Sequence, residues 1–373
     1  MSPRFFINAR PPVDEREPAA FSHDPTPVLD YLALRREYRR TPLVDLDGVA
    51  NHIGVSTLQA KVETDRMGLG SFKALGGAYA VASLVLDRAS GEFGRTFTAN
   101  DLIGRDCRRV ASEMTFICAS AGNHGLSVAS GASFVGARAV VYLPETAPPE
   151  FAARLKAAGA KTQVAGAVYE DSMARACSDS ERNGWILVSD SSWPGYTDIP
   201  SRVMQGYCVL MKEVTDQTRD PAARPSHVFL QAGVGGLAAA AARYVRENWG
   251  HTTRIVVVEP ESAACLMTSV RTGAMTPVTG PVSTMGRLDC KESSLLAYES
   301  LRHDADAFVA VSDTEADESV ALLAEAGIET TPSGAAGLAG LRAIMSDGAH
   351  AAEVGLNSVS TPLILVTEGS VAS

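Results

Sequence analysis

Gly68-Leu69-Gly70-Ser71-Phe72-Lys73-Ala74-Leu75-Gly76-Gly77-Ala78-Tyr79 places one lysine behind a small-residue turn and ahead of a run that suits only a closely packed helix. A lysine held against tightly packed backbone is a poor solvated charge. Where burial lowers its pKa it becomes a good Schiff-base nucleophile, although Ser-Phe-Lys alone also suits a purely structural helix start. A second segment, Cys118-Ala119-Ser120-Ala121-Gly122-Asn123-His124-Gly125, follows the apolar run Thr115-Phe116-Ile117. A buried strand that runs into small residues and then a helix presents backbone N–H groups and a polar Asn to a ligand. Asn123 could donate to a phenolate-like oxygen without ionising, where an Asp would repel it; it could equally serve only as a helix cap. Third, Gln231-Ala232-Gly233-Val234-Gly235-Gly236-Leu237 lies between the strand-like Val228-Phe229-Leu230 and the alanine run 238–242. Its glycines let amides converge on an anion with the helix dipole behind them. The longer dinucleotide fingerprint and a Walker lysine are absent, so a compact monophosphate fits better, unless the segment is only a tight strand-to-helix turn.

These segments need a frame. Arg138 to Pro144 reads as a buried strand leading to a helix start at Pro148-Pro149, and Glu150 to Ala158 as a helix that ends at Gly159. Arg254 to Pro260, Phe308 to Asp313 and Pro362 to Thr367 read as further strands. Strands alternating with helices predict an α/β protein with parallel sheets wrapped by helices. Residues 1–40, rich in prolines and charges, are expected to wrap over the surface. The 373 residues, 46% hydrophobic, suffice for one large or two ordinary domains. A net charge of -10 argues against nucleic acid and anionic membrane as partners. The six cysteines show no close metal-type pairing. No apolar run reaches the ~18 residues of a membrane span, and the start Met1-Ser2-Pro3-Arg4-Phe5 lacks an apolar signal core, as expected of a cytoplasmic enzyme.

A Schiff-base lysine, an Asn loop and a phosphate cup are the three grips that pyridoxal 5'-phosphate needs. By the same residues the chain resembles the fold type II pyridoxal-phosphate enzymes, the tryptophan synthase β and threonine dehydratase group. Asp190-Ser191-Ser192-Trp193-Pro194-Gly195-Tyr196, through Ile199-Pro200 to Met204-Gln205-Gly206-Tyr207, narrows the match. With Ser333-Gly334-Ala335-Ala336-Gly337 and Val366-Thr367-Glu368-Gly369 it is similar to the diaminopropionate ammonia-lyase family, from about Phe5 to the C-terminus. The resemblance implies a two-domain tryptophan synthase β-like fold, with parallel-rich twisted sheets flanked by helices. Residues 1–85 and 205–373 would form a large cofactor-binding domain and residues 86–204 a small mobile one, with the active site in the cleft between them. A homodimer is usual for the group.

Roles follow from the same resemblance. Lys73 would hold the cofactor and, once freed, take the α-proton. Gly233, Val234, Gly235, Gly236 and Leu237 would bind the phosphate, and Asn123 the cofactor's 3-oxygen. Thr367 would face the pyridine nitrogen, where a neutral hydroxyl weakens the electron sink and favours β-elimination. Ser120, Ala121, Gly122 and Asn123 would bind the substrate carboxylate. Asp190 would pair with a second substrate amine, or else cap the following turn. His124 reads as a packing and hydrogen-bonding residue rather than an acid or base, and Tyr169 as structural, the alternative being a place in the lining around the cofactor. The implied reaction is α,β-elimination on L-2,3-diaminopropionate or a close β-substituted amino acid, giving an aminoacrylate that hydrolyses to pyruvate or another keto acid and ammonia. The alternative is an L-specific hydroxyamino-acid dehydratase or a β-replacement synthase. A non-catalytic cofactor-binding protein would leave the carboxylate loop without a purpose.

Two departures stand out. Where the family pattern has an acidic residue before Gly-Asn-His, as a second base for the D-isomer, this chain has Ala121, which cannot move a proton. The segment Met285-Gly286-Arg287-Leu288-Asp289-Cys290-Lys291-Glu292 adds the charges of Arg287, Asp289 and Lys291, which either reshape side-chain specificity or decorate the entrance. Cys265 and Cys290 fall where the family can form a disulfide, but a reducing cytosol favours free thiols.

Overall fold

The computed structural model describes residues 4–10, 21–120, 122–147, 149–218 and 220–370. Eleven strands run through these residues: β1 (Phe5–Ile7), β2 (Leu43–Asp45), β3 (Gln59–Val62), β4 (Thr115–Ala119), β5 (Arg138–Leu143), β6 (Lys161–Val164), β7 (Ile186–Leu187), β8 (His227–Gln231), β9 (Arg254–Pro260), β10 (Ala307–Val311) and β11 (Pro362–Val366). They build a seven-stranded sheet in the order β1-β10-β9-β8-β11-β3-β2 and a four-stranded sheet in the order β6-β5-β4-β7. The smaller sheet is parallel throughout. In the larger, β10, β9, β8, β11 and β3 run parallel, and short antiparallel strands close both edges. Every residue of β8, β10 and β11 is buried, as continuous apolar runs in a sheet covered on both faces must be.

The strands expected from the sequence are present, with shifted ends. Phe308–Asp313 stops at Val311 because Ser312 caps the helix Asp313–Glu325: Ser312 Oγ accepts from Glu315 N at 3.3 Å, while the Glu315 carboxylate accepts from Ser312 N at 2.7 Å. The helix read over 150–158 is Pro149–Ala157, followed by Gly159 at φ +89°; Pro148 lies outside the described residues. The expected surface wrap of residues 1–40 fails in two places. β1 pairs with β10, and the helix Thr26–Ala33 buries Val28, Tyr31 and Leu32. The apolar spacing of that helix seats it in the core in spite of the prolines around it.

The lysine turn is held by close helix packing. The helix Gly76–Phe93, which follows it, lies against the helices Asn123–Val135 and Asp198–Gln217. A Cβ on Gly206 would fall 2.6 Å from Leu75 O and 2.7 Å from Gly76 Cα, so only glycine admits this approach. Ser127 Oγ meanwhile accepts from Ala78 N at 2.9 Å.

Behind the turn lies a buried charge network. Lys61, Glu63, Arg66 and Glu213 are all fully buried. Arg66 reaches Glu63 Oε2 at 2.7 Å and Glu213 Oε1 at 2.8 Å, and Lys61 Nζ reaches Glu213 Oε2 at 2.7 Å. Thr41 Oγ1 and Tyr38 Oη donate to the same carboxylates. Two cations and two anions with their hydrogen bonds satisfied make a burial that unpaired charges would forbid.

Candidate active site

Each sequence-derived segment follows the C-terminal end of a parallel strand, the side on which open α/β sheets gather ligands. Ser120 follows β4, Asp190 lies just past β7, Gly233–Leu237 follow β8, Thr367 follows β11, and Lys73 lies in the connection after β3. Lys73 occupies the 3-10 turn Phe72–Leu75. Phe72 N donates to Thr367 O at 3.1 Å and Gly369 N to Gly70 O at 3.0 Å, which stitch the turn to the end of β11. Lys73 Nζ forms an ion pair with Asp190 Oδ2, with the two side chains 24% and 17% exposed. The two residues named from sequence for the chemistry are in direct contact. Burial pushes the Asp190 carboxyl up, but the Lys73 ammonium and then His124 outweigh it and hold the group well below the usual carboxylate range.

Asp190 is carried by the segment that was most specific in the sequence. Trp193 and Tyr196 stack with centroids 4.3 Å apart, and Tyr196 Oη donates to Leu187 O at 2.7 Å. Ser192 Oγ and Ser294 Oγ lie 2.6 Å apart, tying the segment to the loop after Met285.

In the glycine cup, Gly235 has φ +99°, and a Cβ there would lie 2.7 Å from Leu266 Cδ1 and 2.8 Å from Ala297 Cβ. A Cβ on Gly233 would lie 3.0 Å from Cys290 Sγ. The helix Gly236–Asn248 begins there, and its first-turn amides, Leu237 among them, have no intrahelical acceptor. Val234 O accepts from Ser294 N at 2.9 Å, which fixes the loop. Gly236 borders both Asp190 and Tyr207: a Cβ on it would lie 3.7 Å from Asp190 O and 3.8 Å from Tyr207 Cε2. The Tyr207 hydroxyl is buried with no hydrogen-bond partner among the described residues, and burial pushes it well above the ordinary phenol range. A glycine turn opening onto the free first-turn amides of a helix, beside an unpartnered buried hydroxyl, fits a phosphate.

Asn123 Nδ2 donates to Glu368 Oε2 at 2.7 Å, and Thr331 Oγ1 donates to Glu368 Oε1 at 2.7 Å. Thr367 is 4% exposed, and its hydroxyl accepts from Gln231 Nε2 at 3.3 Å. Ser120 Oγ accepts from Gly122 N at 3.2 Å and from Gly125 N at 3.1 Å, bracing the loop; Ala121 lies outside the described residues. Glu368, Gln231 and Tyr207 stood inside quoted motifs without a role, and nothing in their spacing marked them. Tyr169, read as structural with a place in the cofactor's neighbourhood as the alternative, is 42% exposed in the first turn of the helix Tyr169–Asn183, and burial, then Asp190, Cys290 and Cys118 of the site, push its phenol well above its ordinary range. Cys265 and Cys290 are free thiols on either side of Gly233, and burial pushes Cys290 up to about 11.

His124 is 3% exposed, and its Nδ1 is buried with no hydrogen-bond partner among the described residues. Its Nε2 meets Val188 O at 2.8 Å, and burial, against the pull of Asp190, lowers its pKa. A lowered folded pKa means that the unfolded chain protonates first. The stability contributed by neutral His124 is therefore complete above its unfolded pKa of about 6.5 and is lost as pH falls through the folded value. Thermal melts of His124→Gln between pH 5 and 8 should show a shallower loss of stability on acidification than the parent; an unchanged slope would contradict this.

Of the three added charges, two are spent within their own loop. Lys291 Nζ pairs with Asp289 Oδ1 and donates to Ser262 O at 2.9 Å. Arg287 instead reaches Gly122: its Nη1 lies 3.1 Å from where a Cβ on that glycine would be.

The family model for pyridoxal-phosphate dependent enzymes matches residues 34–357. Diaminopropionate ammonia-lyase of Escherichia coli K12 is 34% identical over 342 residues, covering 89% of this chain and 85% of that protein. The Salmonella typhimurium enzyme is 32% identical over 349 residues, with the same two coverages. This chain belongs to the diaminopropionate ammonia-lyase family. The crystal structure of the Escherichia coli family member in complex with D-serine superposes with a TM-score of 0.86 at 31% identity, covering 98% of this chain and 93% of that one. Maize serine racemase, at 20% identity and a TM-score of 0.73 over 94% of each chain, shares the fold alone. As a member of this family the chain is a pyridoxal-phosphate-dependent enzyme of fold type II, and no helix among the described residues is long and apolar enough to cross a membrane.

Proposed function

We propose that the protein is an ammonia-lyase that carries out α,β-elimination on L-2,3-diaminopropionate or a close β-substituted amino acid. The contact between Lys73 and Asp190 carries the reading: it puts a proton acceptor and a partner for a second amine at one point of the cleft. The amides of Gly233, Val234, Gly235, Gly236 and Leu237 would hold the cofactor phosphate, Asn123 its 3-oxygen, and Thr367 would face its ring nitrogen. Bound there, pyridoxal phosphate supplies an electron sink conjugated with the substrate α-carbon. Ser120, Ala121, Gly122 and Asn123 would orient the substrate carboxylate, and Asp190 the β-ammonium. Lys73 takes the α-proton while the β-amine departs as ammonia. The aminoacrylate released hydrolyses to pyruvate and a second ammonia.

A small mobile domain over residues 86–204, a homodimer and a cytoplasmic location belong to the same reading. The four-stranded sheet drawn from residues 115–187 supports the first of these.

Ala121 supports a second reading, an L-specific hydroxyamino-acid dehydratase or β-replacement synthase on another substrate. Keto-acid and ammonia release from L- and D-diaminopropionate, L-serine, L-threonine and 3-hydroxyaspartate decides between them. Turnover of L-diaminopropionate with a silent D-isomer is expected. Silence on both isomers, with another substrate consumed, overturns the first reading. In the same assay Ala121→Asp should create D-isomer turnover by restoring a base on the opposite side of the substrate.

A further inference from the structure

Two guanidinium groups meet on one aromatic ring, and among the described residues neither has a carboxylate within hydrogen-bond distance. The Arg287 and Arg154 guanidinium carbons lie 5.0 Å and 5.3 Å from the centroid of one ring, Phe151, which is itself 3% exposed. Arg154 comes from the last turn of the helix Pro149–Ala157, beside the four-stranded sheet, and Arg287 from the segment that joins the helices Cys265–Thr272 and Leu295–Asp304. Like charges gathered on one ring repel each other. Burial and then the Arg287 charge lower the pKa of Arg154.

A nearby carboxylate offsets this only in part. The carboxylate nearest Arg287 is Glu368, whose Oε2 lies 3.8 Å from Arg287 Nε, beyond hydrogen-bond reach. Both Glu368 oxygens already accept hydrogen bonds at 2.7 Å, from Asn123 and from Thr331. Arg154 donates to Leu69 O at 3.1 Å and has no ion pair with a described carboxylate. With its side chain 37% exposed and its Nη1 against Gly122, Arg287 keeps free donors beside the loop proposed above for the substrate carboxylate.

We infer that Arg287 and Arg154 form an anion subsite of the cleft that takes a carboxylate of the amino-acid substrate. A planar guanidinium fork matches a carboxylate with two parallel N–H···O bonds, which an ammonium cannot reproduce. That carboxylate is either the α-carboxylate held by the adjoining loop or a second one on the substrate side chain. The inference rests on the function proposed above.

Calorimetric titration of the holoenzyme tests it with two amino acids that keep their β-substituents: L-alanine, with one carboxylate, and L-aspartate, with two. Arg287→Gln should weaken at least one of them by about 10-fold or more, the scale of one charge-assisted bidentate contact. Arg287→Lys should fall between, and Arg154→Gln should weaken the same ligand. Loss for both amino acids assigns the subsite to the α-carboxylate; loss confined to L-aspartate assigns it to a side-chain carboxylate. Affinities within twofold of the parent in both Gln variants, at equal cofactor content and melting temperature, overturn the subsite alone. A parent holoenzyme that binds neither amino acid and releases ammonia from no substrate overturns the proposed function, and the subsite with it.

Discussion

Replacing Lys73 with alanine is expected to lower kcat for keto-acid release by about 10³-fold or more. A positioned general base alone contributes about 10²–10⁴, and Lys73 is also the proposed covalent anchor of the cofactor, so its loss removes two functions at once. The substitution should not unfold the protein. The turn is held by backbone bonds from Phe72 and Gly369 and by the helix contact at Gly206, none of which involves the lysine side chain. It would leave the half-buried Asp190 without its cation, so the carboxyl should rise from its depressed range, a change that titration by carboxylate infrared absorption can follow. Turnover within tenfold of the parent would refute the assignment. A variant whose only change was weaker cofactor retention, from a parent with no turnover, would instead mark a protein that binds the cofactor without using it.

The largest expected effect on stability is at Arg66. Arg66→Met should lower the free energy of unfolding by about 3–5 kcal/mol, measured by denaturant titration, because removing one partner strands the others as buried charges. In the parent, two cations face two anions; in the variant, Lys61 alone faces Glu63 and Glu213. Burial pushes Glu213 up while Arg66 and Lys61 hold it below its usual range, so the carboxylate's contribution is present above pH 4.5 and drains as pH falls. The variant should lose much of that acid dependence. A loss below about 1 kcal/mol would show that the network tolerates an open position. Kinetics should suffer as well, since Arg66 begins the turn Arg66–Gly68, with Met67 at φ +53°, from which the chain runs into Lys73.

How much of this was legible in the sequence depends on how local each signal is. Lys73, Asn123 and Gly233–Leu237 announce themselves because a strand, small residues and a helix start are consecutive in the chain. Thr367 and Asp190 needed the resemblance, since a lone hydroxyl or carboxylate after a strand has no signature. Glu368 escaped because its partner Asn123 is 245 residues away, and the Arg154–Arg287 pair escaped for the same reason. The Lys61–Arg66 network escaped through a different rule: charges read as solvated until tertiary packing shows them paired and covered. Residues 26–33 were misjudged because proline and charge content outweighed a short apolar spacing.

The place of β11 has a consequence for how the molecule is made. Its neighbours are β8 on one side and β3 on the other, so the strand that ends in Thr367 and Glu368 is inserted into the middle of the large sheet. The four strands of the smaller sheet are contiguous in the chain, within residues 115–187, and can pair while synthesis continues. The larger sheet cannot. Until residues 362–366 emerge, β3 and β8 each present an unpaired edge, which is an invitation to association with other chains. Order of assembly is thus written into the strand order: the half of the site bearing Asn123 takes shape first, and the half bearing Lys73 is locked only by the last strand to arrive.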